Sequence, residues 1–192
     1  MRVAFLAILL SSCVVNSRVN SPTIMGPVPS PSASPEQKII TLICDEKCTE
    51  AEKDKLKKVE AKLNETLGSK CFEDYMTQEG RKYTHFKDSP ADIVKKMREP
   101  QTMLVNYYTS VMIWVLGYEV GGESVVHLNR LAVAYHGFNI CDEASVAAHE
   151  TSHAKGFMHL GNDPSKNDNI HSVPYQINAA FDSGPGKGGC CK

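Results

Sequence analysis

The chain of 192 residues has little net charge, −1 at neutral pH with its histidines neutral. Without a positive electrostatic footprint it offers nothing to a phosphate backbone, so nucleic acid is not expected as a partner. It also lacks a long hydrophobic run. Val3 to Leu10 is apolar but only eight residues long, against the roughly 20 that a helix needs to cross a bilayer. No internal repeat is evident, so nothing points to a solenoid. What remains is a chain 42% hydrophobic, enough for one core and one domain.

The ends are read first. Met1 and Arg2 form a short basic start, Val3 to Leu10 follow, and Leu10-Ser11-Ser12-Cys13 looks like a bacterial lipobox. Residues 1–12 are therefore expected to be a signal peptide. Cleavage before Cys13 leaves a lipidated cysteine, and several acyl chains anchor a protein to a membrane without spanning it. Val14 after that cysteine leans towards the outer membrane, by analogy with enterobacterial sorting. An ordinary secretory signal cut elsewhere is the alternative. Residues 13–38 contain Pro22, Pro27, Pro29, Pro31 and Pro35 among serines, the composition of an extended tether. Residues 39–192 are the expected domain. An exported monomer results, in the periplasm, at the cell surface or secreted.

Of seven cysteines, setting Cys13 aside leaves Cys44, Cys48, Cys71, Cys141, Cys190 and Cys191, an even number suited to an oxidising compartment. Three disulfides are expected in an unspecified pairing, with adjacent Cys190 and Cys191 bonding to different partners and pinning the tail to the body. Cys141 lies where a disulfide would fix the start of the helix that follows. A structural zinc site of Cys44, Cys48, Cys190 and Cys191 is the competing reading.

Thr49 and Glu52 form a capping box before a helix whose apolar positions are Leu56, Val59, Leu63 and Leu67, with Gly68 as its stop. The sequon Asn64-Glu65-Thr66 falls inside it and is taken as accidental. Ser89-Pro90-Ala91-Asp92 opens a second helix, which ends before Pro100. Thr102 to Tyr108, Val111 to Val120 and Ser124 to Asn129 read as strands, with Gly121-Gly122 as a hairpin turn. An α+β domain is expected: a small mixed sheet packed on one helix that starts at Asp142 as N-cap, carries Glu143 in its first turn and contains Ala144, Val146, Ala147 and Ala148.

That helix contains the most informative segment, His149-Glu150-Thr151-Ser152-His153-Ala154-Lys155-Gly156-Phe157-Met158-His159. Residues four apart share a helix face, so His149 and His153 can converge on one cation at roughly 2.0 to 2.1 Å. Glu150 lies about 100° round, where it can reach a water and act as general base. His159 can join only if the chain leaves the helix and doubles back, and Gly156 supplies the left-handed residue for that break. His171, backed by Asp163 and Asp168, is the rival third ligand. His85, His127 and His136 are read as structural.

These residues resemble the metzincin clan of zinc endopeptidases, over about forty residues from 142 to 182. The resemblance implies one Zn2+ held by His149, His153 and His159, with Glu150 polarising the attacking water. It also implies an edge strand above the site that receives the substrate, for which Ser124 to Asn129 is the candidate. The departure is the downstream turn, because no methionine follows Met158. Ser172-Val173-Pro174-Tyr175 resembles a shortened form of the Ser-x-Met-x-Tyr turn of the astacin and serralysin branches. On that alignment Tyr175 is an extra ligand or an oxyanion donor; otherwise it is a core tyrosine.

The function expected is zinc-dependent hydrolysis of peptide bonds in a protein or peptide substrate. Two rivals keep the same residues: a zinc amidase acting on cell-wall peptides, and a non-enzymatic surface lipoprotein with a vestigial metal site. Metal binding alone does not require Glu150, which argues against the last.

Overall fold

The computed structural model describes residues 38–87, 89–112, 116–119, 124–161, 165–182 and 189–192. The expected signal peptide, the expected lipidation site at Cys13, nearly all of the expected tether and the expected Gly121-Gly122 turn lie outside the described residues.

Among the described residues, four strands and six α-helices make a mixed α/β fold. The strands are β1 (Ile40–Cys44), β2 (Gln101–Tyr108), β3 (Gly117–Glu119) and β4 (Val125–Asn129), and their order in the sheet is β1-β2-β4-β3. β1 pairs parallel with β2, Leu42 opposite Met103, and β2 pairs parallel with β4, Asn106 opposite His127. β3 runs antiparallel to β4, with Tyr118 opposite His127. The small mixed sheet is thus as expected, but its edge is not. β4 has a neighbour on both sides, so its backbone groups are spent within the sheet and β3 forms the edge. The strand expected over Val111 to Val120 is described only as the three residues of β3.

β1 escapes the sequence reading because Ile40 to Cys44 is short and its pairing is with residues about sixty positions away. It is built by the long helix α1 (Glu50–Gly68), which begins with the expected Thr49–Glu52 capping box and buries Leu56, Val59, Leu63 and Leu67. From that helix Asn64 Oδ1 accepts from the Ile39 and Ile40 amides at 2.7 and 2.8 Å, and Glu60 accepts from Leu42 N at 2.7 Å. These side chains occupy the outer rim of β1, where an open strand edge would otherwise invite pairing. Asn64 is therefore a structural residue.

α2 (Lys70–Met76) and α3 (Pro90–Met97) follow, the latter opened by the expected Ser89 cap, which the structure shows to be a capping box with Asp92. After the sheet and the short α4 (Arg130–Tyr135) comes α5 (Ile140–Ala154), which packs between α1 and α6 (Val173–Phe181) and beneath β3 and β4. Ala144, Ala147 and Ala148 are almost fully buried on it, and such small residues permit close approach to the sheet. The approach is tightest at Gly117, where an added Cβ would sit 2.8 Å from the His127 carbonyl oxygen and 3.1 Å from Val146 Cγ1. Only glycine fits between the edge strand and α5.

Asp142 does not cap α5. Asn139 does, accepting from Cys141 N at 2.7 Å and Asp142 N at 3.1 Å, while Asp142 accepts in return from Asn139 N at 2.9 Å. An asparagine with an aspartate three residues on can satisfy two orphan amides reciprocally, so the helix starts earlier and Cys141 falls in its first turn. A second difference is Ser172-Val173-Pro174-Tyr175, which opens α6 with Pro174 in the first turn, a place where its missing N–H costs nothing.

Three disulfides join Cys44 to Cys48, Cys71 to Cys190 and Cys141 to Cys191. The adjacent cysteines do bond to different partners and pin the tail, to α2 and to the first turn of α5. This pairing leaves no thiolates for a Cys44, Cys48, Cys190 and Cys191 zinc site.

Candidate metal centre

α5 brings His149 and His153 onto one face, and its end decides where the third imidazole goes. Gly156 has φ +84°, its N–H donates to His153 O at 2.8 Å, and Phe157 N donates to Ser152 O at 3.0 Å. That bond pair, with a left-handed glycine between, is the Schellman stop. Phe157 is then buried at the reversal, and the chain turns back to set His159 beside the helix. Its ring centroid lies 5.4 Å from that of His149 and 4.8 Å from that of His153.

One ring nitrogen from each of His149, His153 and His159 falls within 4.8 Å of the others, and the Nε2 atoms of His149 and His159 are 3.4 Å apart. Donors at roughly 2.1 Å from a tetrahedral ion stand about 3.4 Å from one another, so the His149–His159 pair has the spacing of two ligands to one ion, and the triad could hold a metal ion. The second shell fits as well. His153 Nδ1 faces Phe157 O at 2.8 Å and His159 Nδ1 faces Gly161 O at 2.5 Å. Carbonyl oxygens only accept, so both Nδ1 atoms carry the proton and both Nε2 atoms present a lone pair.

No known protein-family model, curated protein or solved structure matches this chain.

Electrostatics hold the triad in the form a metal requires. Burial, then the neighbouring His153 and His159, keep the His149 pKa well below 6.5, against hydrogen bonds with the Pro174 main chain and the Asn178 side chain. Burial pushes His153 down to about 4 and also lowers His159. All three rings are therefore neutral at pH 7, and metals bind neutral imidazole.

Glu150 is 1% exposed, next to His149 on α5 and outside the set of converging donors. Tyr175, 7% exposed, lies against two of the rings at 5.3 Å from His149 and 4.9 Å from His159. The first turn of α6 thus packs under the triad. The remaining histidines are outside the converging donor set: His127 stacks on Tyr118 at 4.3 Å, His136 lies 5.7 Å from the Phe138 ring, His85 sits close enough to act on His159 electrostatically with its Nε2 3.3 Å from Asn167 O, and His171, the rival ligand, pairs with Asp168 at 3.7 Å. Asp163 lies outside the described residues. Glu143 is buried at the other end of α5 in an ion pair with Lys55, away from the histidines.

Three groups near the triad were not legible in the sequence. Asn178 Nδ2 lies 2.9 Å from His149 Nδ1, and Ser145 Oγ lies 3.1 Å from Asn178 Oδ1. Both residues are over nine-tenths buried. Their only signal is a polar residue among the small and apolar residues of a helix, which is common. Tyr108, at the end of β2, has a buried hydroxyl with its pKa raised to about 12 by burial, then by Tyr118 and the charge of Glu150.

Proposed function

We propose that the protein is an exported, zinc-dependent endopeptidase of metzincin type. The observation that carries this reading is the convergence of His149, His153 and His159 beside Glu150, a general base candidate on the same helix. Two further features support it: an antiparallel edge strand, β3, on the sheet above α5, and the first turn of α6 lying under the histidines.

The chemistry a bound zinc ion supplies is Lewis acidity, which acidifies water towards pKa about 7 and polarises a carbonyl. His149, His153 and His159 would hold it as neutral ligands. Glu150 takes the proton from the attacking water and delivers it to the leaving amine as the peptide bond breaks. β3, with its outer side unpaired among the described residues, is the rim along which an extended peptide adds as a further strand. Tyr175, whose ring lies against His149 and His159, would donate to the oxyanion or serve as an extra ligand.

Three disulfides suit an oxidising compartment outside the cytosol. No helix among the described residues is long and apolar enough to cross a membrane. We extend the reading to a monomer held at the bacterial outer membrane by lipid on Cys13. Metal content and turnover on a peptide library test the whole reading: the protein should carry one zinc, and Glu150→Gln should keep the metal and lose at least about a hundredfold in hydrolysis. Equal turnover by variant and parent would remove the mechanism. Cleavage of cell-wall peptides and no others would move the substrate class.

A further inference from the structure

Tyr118, on the edge strand β3, belongs to an aromatic stack that runs across the sheet. Gly117 beside it faces α5, since a Cβ there would meet Val146. Successive side chains of a strand point to opposite faces, so Tyr118 stands on the face turned away from that helix. Its partner opposite on β4 is His127, which shares this face because its neighbours Val126 and Leu128 are the buried ones. The two rings are nearly parallel, with 7° between their planes and centroids 4.3 Å apart.

That separation is close to the roughly 4.7 to 4.9 Å between neighbouring strands, so the stack advances by one ring for each strand. His127 takes the inner face of the Tyr118 ring. Tyr108, from β2, meets the same ring edge-on, with centroids 5.5 Å apart. Both neighbours come from the sheet side. β3 is the edge, so the outer face of the ring is turned to the place where a further strand would lie, and Tyr118 remains 37% exposed.

A ring held from two sides has little freedom left to lose when a ligand packs on it. An aromatic side chain opposite Tyr118 on an added strand extends the stack by one more ring, and aromatic cross-strand pairs are among those that stabilise a sheet most. Tyr108 links this stack to the part of α5 that holds the candidate general base, because the charge of Glu150 acts on its hydroxyl.

We infer that Tyr118, backed by His127 and Tyr108, selects extended peptides with an aromatic residue at the position that pairs with it, so the substrate class is peptides bearing phenylalanine, tyrosine or tryptophan at one fixed site. This rests on the proposed peptidase function and on β3 as the edge that accepts the peptide.

The test uses the full protein and short capped alanine peptides in which one phenylalanine is moved along the chain. Two quantities are measured: Kd for the chelator-treated protein, and kcat/KM for the zinc-loaded one. One position should give about tenfold tighter binding and a higher kcat/KM than the all-alanine peptide, and its two neighbours should not, because their side chains turn to the other face. Tyr118→Phe keeps the ring and should keep the preference. Tyr118→Thr keeps strand propensity without the ring, and should bring the phenylalanine and alanine peptides within about twofold of each other. In the unmutated protein, ring-proton resonances of Tyr118 and His127 should shift further with the phenylalanine peptide than with the alanine peptide. A phenylalanine preference at no position, a preference that survives in Tyr118→Thr, or Tyr118 ring protons that respond equally to both peptides would each overturn the inference. Cleavage of peptides without any Tyr118-dependent preference removes this inference and leaves the peptidase reading. The predicted preference in binding, with no cleavage by the zinc-loaded protein, removes the peptidase reading and leaves β3 as a strand-binding edge selective for aromatic residues.

Discussion

Breaking the Cys141–Cys191 bridge should destabilise the fold strongly while leaving the histidines able to bind metal. The bridge closes 50 residues of chain, and restricting the unfolded state over such a loop is worth about 4 kcal/mol. Cys190 is already tied to Cys71 across 119 residues, which removes part of the same freedom, so about 3 to 4 kcal/mol remains. For a domain of this size each kcal/mol moves Tm by roughly 2 to 4 °C. Cys141→Ala with Cys191→Ala should therefore lower Tm by about 10 °C in a calorimetric scan. The bridge between Cys44 and Cys48 spans a separation of 4, and its removal should cost less, about 2 kcal/mol. The candidate metal site begins two turns further along α5, held by the Schellman stop and α6, so zinc affinity of the folded variant should stay within a few-fold of the parent. If removal of the short bridge proved as damaging as removal of the long one, the loop-closure reasoning would be wrong.

Tyr175→Phe should retain zinc and lose part of its activity on peptides; full activity would make Tyr175 a packing residue only. Asn139→Ala removes the acceptor for two amides at the start of α5 and should cost about 1 kcal/mol in denaturant unfolding, whereas Asp142→Ala, if equally or more costly, would return the cap to Asp142. Stability of the chelator-treated protein should fall with acid. The triad histidines bind protons more weakly folded than unfolded, His153 titrating near 4 against an ordinary 6.5, so unfolding takes up protons in that window and Tm declines as pH drops from about 6.5 to 4. A His153→Gln variant should decline less steeply; an identical slope would refute the assignment.

Local rules were enough for much of this. The capping box at Thr49, the cap at Ser89, the buried stripe of α1 and the glycine stop after Lys155 all depend on residues within one or two turns, and each stands in the structure as the sequence indicates. The spacing of His149, His153 and His159 is likewise local, since a helical turn and one reversal suffice to bring the rings together. The cap of α5 was misplaced because Asn139 and Asp142 are both good capping residues and the sequence does not rank them.

Tertiary structure alone decided what faces the triad and what surrounds it. β1 exists because Asn64 and Glu60 reach it from α1, and β3 rather than β4 lies at the edge because pairing partners are far apart in sequence. The disulfide pairing, the ring of Tyr175 under the histidines, and Asn178 behind His149 are set by how α5 and α6 pack. Hydrogen bonds and ring contacts across 16 to 29 residues leave no periodic trace in a chain, because nothing in the local backbone requires them. The sequence determined the donors that can meet at one point; the packing determined the lone pairs, protons and neighbours they meet with.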